Sequence, residues 1–131
     1  MPLLLDTHIW LWGLLDPDKL SRQIRHALSS RTDELRLSPV SVWETLVLAE
    51  RGRVTLEPNT RNWLNKAMSL TPVVEVPVTF DVAMASRSIA LEHQDPADRF
   101  IAASAKVFAL TLVTADERLL RCQDIDVLPN R

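Results

Sequence analysis

The sequence predicts an α/β domain in which a central parallel sheet is covered by helices on both faces. Three observations point there. Short apolar runs alternate along the chain with longer stretches of helical periodicity. The apolar runs are continuous rather than alternating, which suits strands buried on both faces of a parallel sheet. The length of 131 residues, 47% of them hydrophobic, suits one domain over 1–131 with ample material for its core.

Leu3-Leu4-Leu5 reads as the first strand, Ile9 to Leu15 as a short helix and Ser21 to Ser29 as another. Leu35-Arg36-Leu37 is a second strand. A helix follows from Pro39 to Arg51, with Ser38 as its N-cap, proline in its first turn and Gly52 just past its end. Asn59 to Leu70 is helical and carries Trp63, Leu64, Ala67 and Met68 on one face. The β-branched stretch Val73 to Val78 is a strand, and Phe80 to Leu91 a helix with Val82, Ala85 and Ile89 in register. Asp95 caps a helix from Pro96 to Ala109. Thr111 to Thr114 is a strand, Asp116 to Arg121 a short helix, and Ile125 to Leu128 a last strand.

Composition narrows the function. No apolar run approaches the roughly 18–20 residues of a membrane span, and the first residues lack the pattern of a secretory signal. A single cysteine, Cys122, rules out an internal disulfide and a thiolate metal cage. These features point to the cytoplasm. Only two glycines occur, Gly13 and Gly52, so there is no glycine-rich phosphate loop. The net charge of −2 gives no general attraction for nucleic acid. Basic residues nevertheless occur close to acids in sequence: Arg99, Lys106, Arg118 and Arg121 share the stretches that hold Asp98 and Asp116. Cations around an acidic centre suit a phosphodiester, although solvated surface charge is the better default for each one alone.

Four carboxylates stand out by position. Asp6 follows the first strand directly, and Asp116 comes just after the Leu112-Val113-Thr114 strand. In a parallel sheet both therefore reach the carboxyl edge, where such folds build their sites. Glu44 lies early in the helix after the second strand, and Asp98 in the first turn of the Pro96 helix. Capping offers each an ordinary role. It fits Glu44 worst, because Ser38-Pro39 already starts that helix and Glu44 shares a face with Val40, Val47 and Leu48. A carboxylate on an apolar stripe needs a partner. An all-oxygen donor set, without cysteines or clustered histidines, suits Mg²⁺ or Mn²⁺. His8, His26 and His93 are scattered, and His8 is expected to pack at the start of the first helix.

Four segments together resemble the PIN-domain nucleases, and among them the VapC-type toxins of bacterial toxin–antitoxin pairs. They are Leu4-Leu5-Asp6-Thr7-His8, Ser41-Val42-Trp43-Glu44, Asp95-Pro96-Ala97-Asp98-Arg99-Phe100-Ile101-Ala102-Ala103 and Leu112-Val113-Thr114-Ala115-Asp116. Each is weak alone, but they occur in order over essentially the whole chain. The resemblance implies a three-layer α/β/α PIN-like domain with a central parallel sheet. It also implies Mg²⁺- or Mn²⁺-dependent hydrolysis of RNA, with Asp6, Glu44, Asp98 and Asp116 as catalytic metal ligands and products bearing 5′-phosphate and 3′-hydroxyl ends. Thr7 and Thr114 match positions where a hydroxyl supports the acids, a role that turn and cap bonding would equally explain. Asp95 is read mainly as a cap and secondarily as a fifth acid.

The resemblance further implies an antitoxin partner and a homodimer. In the run Ile9 to Leu15, Trp10 and Trp12 point in different directions on a helix. One of them is therefore expected at a protein–protein interface, unless the Asp16 to Leu20 stretch covers the second face. Two other classes of function compete with the nuclease. One is a non-catalytic RNA- or metal-binding module of the same fold. The other is a phospho-accepting signalling domain, which would need paired early acids and a late lysine that Asp6-Thr7-His8 and Thr114-Ala115-Asp116 do not supply.

Overall fold

A computed structural model describes residues 2–30 and 34–131. Five strands, β1 (Leu3–Leu5), β2 (Leu35–Leu37), β3 (Val74–Glu75), β4 (Thr111–Thr114) and β5 (Asp126–Pro129), form one sheet in the order β3-β2-β1-β4-β5. Every neighbouring pair is parallel, with Leu3 beside Leu35 on one side and Leu5 beside Val113 on the other. The helices among the described residues are α1 (Thr7–Leu15), α2 (Arg22–Ser29), α3 (Pro39–Glu50), α4 (Thr60–Leu70), α5 (Phe80–Ser88), α6 (Pro96–Val107) and α7 (Glu117–Leu120), with a 3₁₀ turn at Pro17–Lys19.

Strand side chains alternate between faces, so a continuous apolar strand feeds two cores. Leu3, Leu5 and Val113 pack with Ile9, Trp10, Ile24 and Leu64 on one face. Leu4 and Leu112 pack with Ile101, Ala102, Ala105 and Leu119 on the other. The helices of those residues make the outer layers, giving the α/β/α order expected. The chain winds outward from β1 through β2 to β3, then crosses back to β4 on the opposite side of β1. The direction of winding reverses between β1 and β4, and crevices open at such switch points outside the carboxyl ends of the strands.

Helix starts follow the caps. Asp6, Ser21, Ser38, Asn59, Thr79, Asp95 and Asp116 each accept a hydrogen bond from a first-turn amide. Gly52 takes φ 68 just beyond α3, the left-handed value that lets the chain turn away. Two expectations need correction, and a third, that Trp10 or Trp12 lies at an interface, is narrowed. The Val73–Val78 stretch contributes only Val74–Glu75 as strand, because it lies at the sheet edge and Pro77 has no amide to donate. The α5 helix ends at Ser88, with Ile89 and Leu91 buried in the following connection rather than on the helix. Trp10 is 2% exposed and meets Trp63 edge to face at 6.1 Å, so it is a core residue and no interface residue. Trp12 is half-buried, with the Lys19 ammonium 5.6 Å over its ring, so the Pro17–Lys19 turn does cover part of that face.

Candidate active site

Asp6 leaves β1 with extended backbone and caps α1 through Oδ1, which accepts from the Thr7 amide at 2.9 Å. Its Oδ2 accepts from the Thr114 hydroxyl at 2.7 Å, a contact that depends on β1 lying beside β4. The Asp6 carboxyl is 6% exposed. Burial raises its pKa above the ordinary aspartate value and the charge of Asp98 adds to the rise, while the Thr114 hydrogen bond opposes it.

Glu44 stands in the second turn of α3, where Ser41 and Thr45 form the buried face. The buried Thr7 hydroxyl donates to Glu44 Oε1 and lies 2.8 Å from Ser41 Oγ, tying α3 to the start of α1. Burial again raises the carboxyl, and the charges of Asp98, Asp6 and Asp95 push in the same direction. Asp98, in the first turn of α6, is raised chiefly by burial and partly held down by His93, whose Nε2 lies 2.9 Å from Oδ2. Asp116 differs. Burial pushes it upward, but the hydrogen bonds and charge of Arg118 outweigh that and hold it below the usual range. The Arg118 amide donates to Asp116 Oδ1 at 2.8 Å and its Nη2 to Oδ2 at 3.0 Å, while Nη2 also lies 3.7 Å from Asp98 Oδ2.

These four acids reach one depression of about 360 Å³, lined by Asp6, His8, Trp12, Glu44, Asp95, Asp98, Ala115, Asp116 and Arg118. The sequence positions 6, 44, 98 and 116 thus meet at the sheet's switch point. Thr7 and Thr114 do orient carboxylates, since one binds Glu44 and the other Asp6. Asp95 caps α6 through the Ala97 amide and also faces the depression. His8 is exposed and tilted against Trp12 at 5.8 Å, so it lines the depression instead of packing into the helix start.

Arg99, grouped above with cations facing a phosphate, is 4% exposed and bonds backbone carbonyls; it belongs to the interior. Sequence reasoning gave His93 no role at the site and Ser41 only a place in a motif, and it gave Arg118 no contact. Arg118, two residues after an N-cap aspartate, carried a local signal; His93 carried none.

Among the described residues no three acidic, histidine or cysteine groups already enclose an ion position, since Asp98 turns to His93 and Asp116 to Arg118. The donors nonetheless fit Mg²⁺ or Mn²⁺. All are oxygens, and three are carboxyls that burial and mutual repulsion hold in a strained state a cation relieves. Mg²⁺ also keeps several waters and needs only one or two carboxylates, so a closed protein cage is not required.

The sequence profile of the PIN domain matches residues 3–124. The chain belongs to the PIN domain family. Ribonuclease VapC22 of Mycobacterium tuberculosis is 33% identical to it over 119 residues, covering 88% of each chain. Among solved PIN-fold structures, VapBC2 from Rickettsia felis bound to a DNA fragment from its promoter superposes with a TM-score of 0.76 at 14% identity, covering 98% of both chains. FitAcB from Neisseria gonorrhoeae superposes with a TM-score of 0.67 at 25% identity, over 98% of this chain and 97% of that one.

Proposed function

We propose that this chain, a single PIN domain over 1–131, is a metal-dependent endoribonuclease acting as the toxin of a toxin–antitoxin pair. The observation that carries the reading is the convergence of Asp6, Glu44, Asp98 and Asp116 on one depression at the β1–β4 switch point. These four residues would hold Mg²⁺ or Mn²⁺. The ion, when bound, supplies acidity to water and charge to a phosphoryl group undergoing in-line attack.

The chain's own groups do the rest. Thr114 and Thr7 fix the carboxylates of Asp6 and Glu44, and His93 fixes Asp98. Trp12 and His8 present rings at the mouth, on which an RNA base can stack. Arg118 lines both this depression and a larger groove of about 1060 Å³, which Arg121 and His93 also line. A phosphate chain can follow those two arginines away from the acids. RNA alone, RNA with Mg²⁺ or Mn²⁺, and RNA with EDTA, each with wild type and Asp6→Asn, make the test. Metal-restored cleavage lost in Asp6→Asn supports the proposal, and cleavage undiminished by chelator refutes the metal role.

A phospho-acceptor fits poorly. Both Asp6 oxygens are already hydrogen-bonded in a buried setting, and among the described residues no lysine lines the depression. The antitoxin partner rests on the relatives, whose solved forms include VapBC2 and a toxin–antitoxin complex from Klebsiella pneumoniae. We also propose a cytoplasmic homodimer. Among the described residues no helix is long and apolar enough to cross a membrane. With Trp10 internal, the apolar residues available to partners include Trp43 on α3 and Phe80 and Met84 on α5.

A further inference from the structure

Asp98 and Arg99 are consecutive on α6 and so project about 100° apart around the helix. Asp98 reaches the depression, while Arg99 points into the protein and is 4% exposed. Among the described residues no carboxylate is ion-paired with Arg99. Its guanidinium instead donates to backbone carbonyls. Nε donates to Ser86 at 2.7 Å, Nη1 to Leu91 at 2.6 Å and to His93 at 3.1 Å, and Nη2 to Ile89 at 3.3 Å. Two of these carbonyls lie at the C-terminal end of α5, the negative end of its dipole, which suits a buried cation. The other two belong to the irregular connection between α5 and α6. That connection therefore wraps around the planar fork of one side chain.

The connection carries His93. Its Nε2 meets Asp98 Oδ2 at 2.9 Å, while its Nδ1 is buried and has no partner among the described residues. A histidine that supports a metal ligand usually has its ring oriented by a bond at the other nitrogen. Among the described residues no such bond is made, so the ring's placement falls to the backbone, and the bond from Arg99 Nη1 to the His93 carbonyl sets that backbone. Among the described residues the contacts of the Asp98 carboxylate, with His93 and Arg118, fall on Oδ2, which leaves Oδ1 for an ion.

The geometry points to Arg99 as a positioning residue. By shaping the connection it aims His93 at Asp98, and so sets the affinity of the acidic site for a divalent cation. The inference rests on the metal reading proposed above.

The test is a calorimetric titration of the full chain with Mn²⁺ alone, at one pH, on wild type, His93→Ala, Arg99→Lys and the double variant. His93→Ala should weaken Mn²⁺ binding about 10-fold, in the range known for outer-shell partners of metal ligands. Arg99→Lys keeps the charge but loses the fork, and should weaken binding several-fold. In the double variant the loss should not exceed that of His93→Ala, because Arg99 acts through a ring already removed. His93→Gln, whose amide can still donate to Asp98, should recover most of the affinity. If Arg99→Lys unfolds in buffer, the same titrations are run in trimethylamine N-oxide, which favours the folded state. The inference is overturned if His93→Ala binds Mn²⁺ as wild type does, or if Arg99→Lys costs as much without His93 as with it. Wild type that binds no Mn²⁺ overturns the metal reading itself.

Discussion

Replacing Thr114 by valine isolates one hydroxyl that serves two acids. Thr114 is fully buried; its hydroxyl donates to Asp6 Oδ2 at 2.7 Å and accepts from the Asp116 amide at 3.0 Å. Valine has nearly the same shape, so the substitution leaves no cavity and removes only the two bonds. A hydrogen bond to an ionised group contributes about 1.5–3 kcal/mol, and a deprived, partly buried amide costs about 1 kcal/mol. The expected loss is therefore roughly 2–4 kcal/mol in the ion-free protein. With a urea slope of about 2 kcal/mol/M, the midpoint falls by about 1–2 M. Unfolding followed by far-ultraviolet circular dichroism in EDTA measures it. Repeating the pair in an Asp6→Asn background should shrink the cost to about 1.5–2.5 kcal/mol, since a neutral acceptor's bond contributes about 0.5–1.5 kcal/mol while the deprived Asp116 amide still costs about 1 kcal/mol. A Thr114→Val stability within about 0.5 kcal/mol of wild type, or an equal loss in both backgrounds, refutes the reasoning.

Other perturbations follow from the same site. Asp6→Asn should raise ion-free stability at neutral pH, because a buried carboxylate repelled by Asp98 becomes neutral, and should abolish RNA cleavage; thermal unfolding and a cleavage assay check the two halves. Asp6, Glu44 and Asp98 hold their protons more tightly folded than unfolded, so ion-free stability from these groups falls as pH climbs from the ordinary carboxylate range through their raised values. Asp116 acts oppositely, and its contribution disappears as pH drops through its lowered value. Urea midpoints across pH, with and without Mg²⁺, should show the decline only where the ion is absent. Arg121→Glu should weaken RNA binding by several-fold while leaving Mn²⁺ affinity unchanged, as filter binding and calorimetry would report. Phe80 is 91% exposed, so Phe80→Glu should leave stability within about 0.5 kcal/mol while converting a dimer to a monomer in light scattering.

The parts of the fold legible in the sequence were those governed by local chemistry. Continuous apolar runs marked β1 and β4, and Ser38, Pro39 and Gly52 bounded α3. Asp6 and Asp116 could be placed at the sheet edge because each directly follows or nearly follows such a run. Periodicity misled where apolar residues are buried for another reason. Ile89 continues the register of Val82 and Ala85, yet it is buried in a connection gathered around Arg99, so the helix stops earlier than its pattern does. The β3 stretch has strand composition, but only one neighbouring strand and a proline limit its pairing. His93 was invisible for a deeper reason. Its contact with Asp98 depends on the path of an irregular segment, and that path is dictated by a buried arginine whose charge suggested the surface.

The bond from Thr114 to Asp6 joins residues 108 apart in the chain. β1 sits in the middle of the sheet, yet its partner β4 is made long after it. At about 5–20 residues per second, roughly 5–20 s separate the emergence of the first acid from that of the strand which completes its surroundings. Until then Asp6 lacks its hydroxyl donor, and Asp116 does not yet exist. A chain built in this order holds an incomplete site throughout that interval, so its acids cannot act together before β4 has emerged. Strand order therefore acts as a timer, withholding the complete set of acids until β4 has been made.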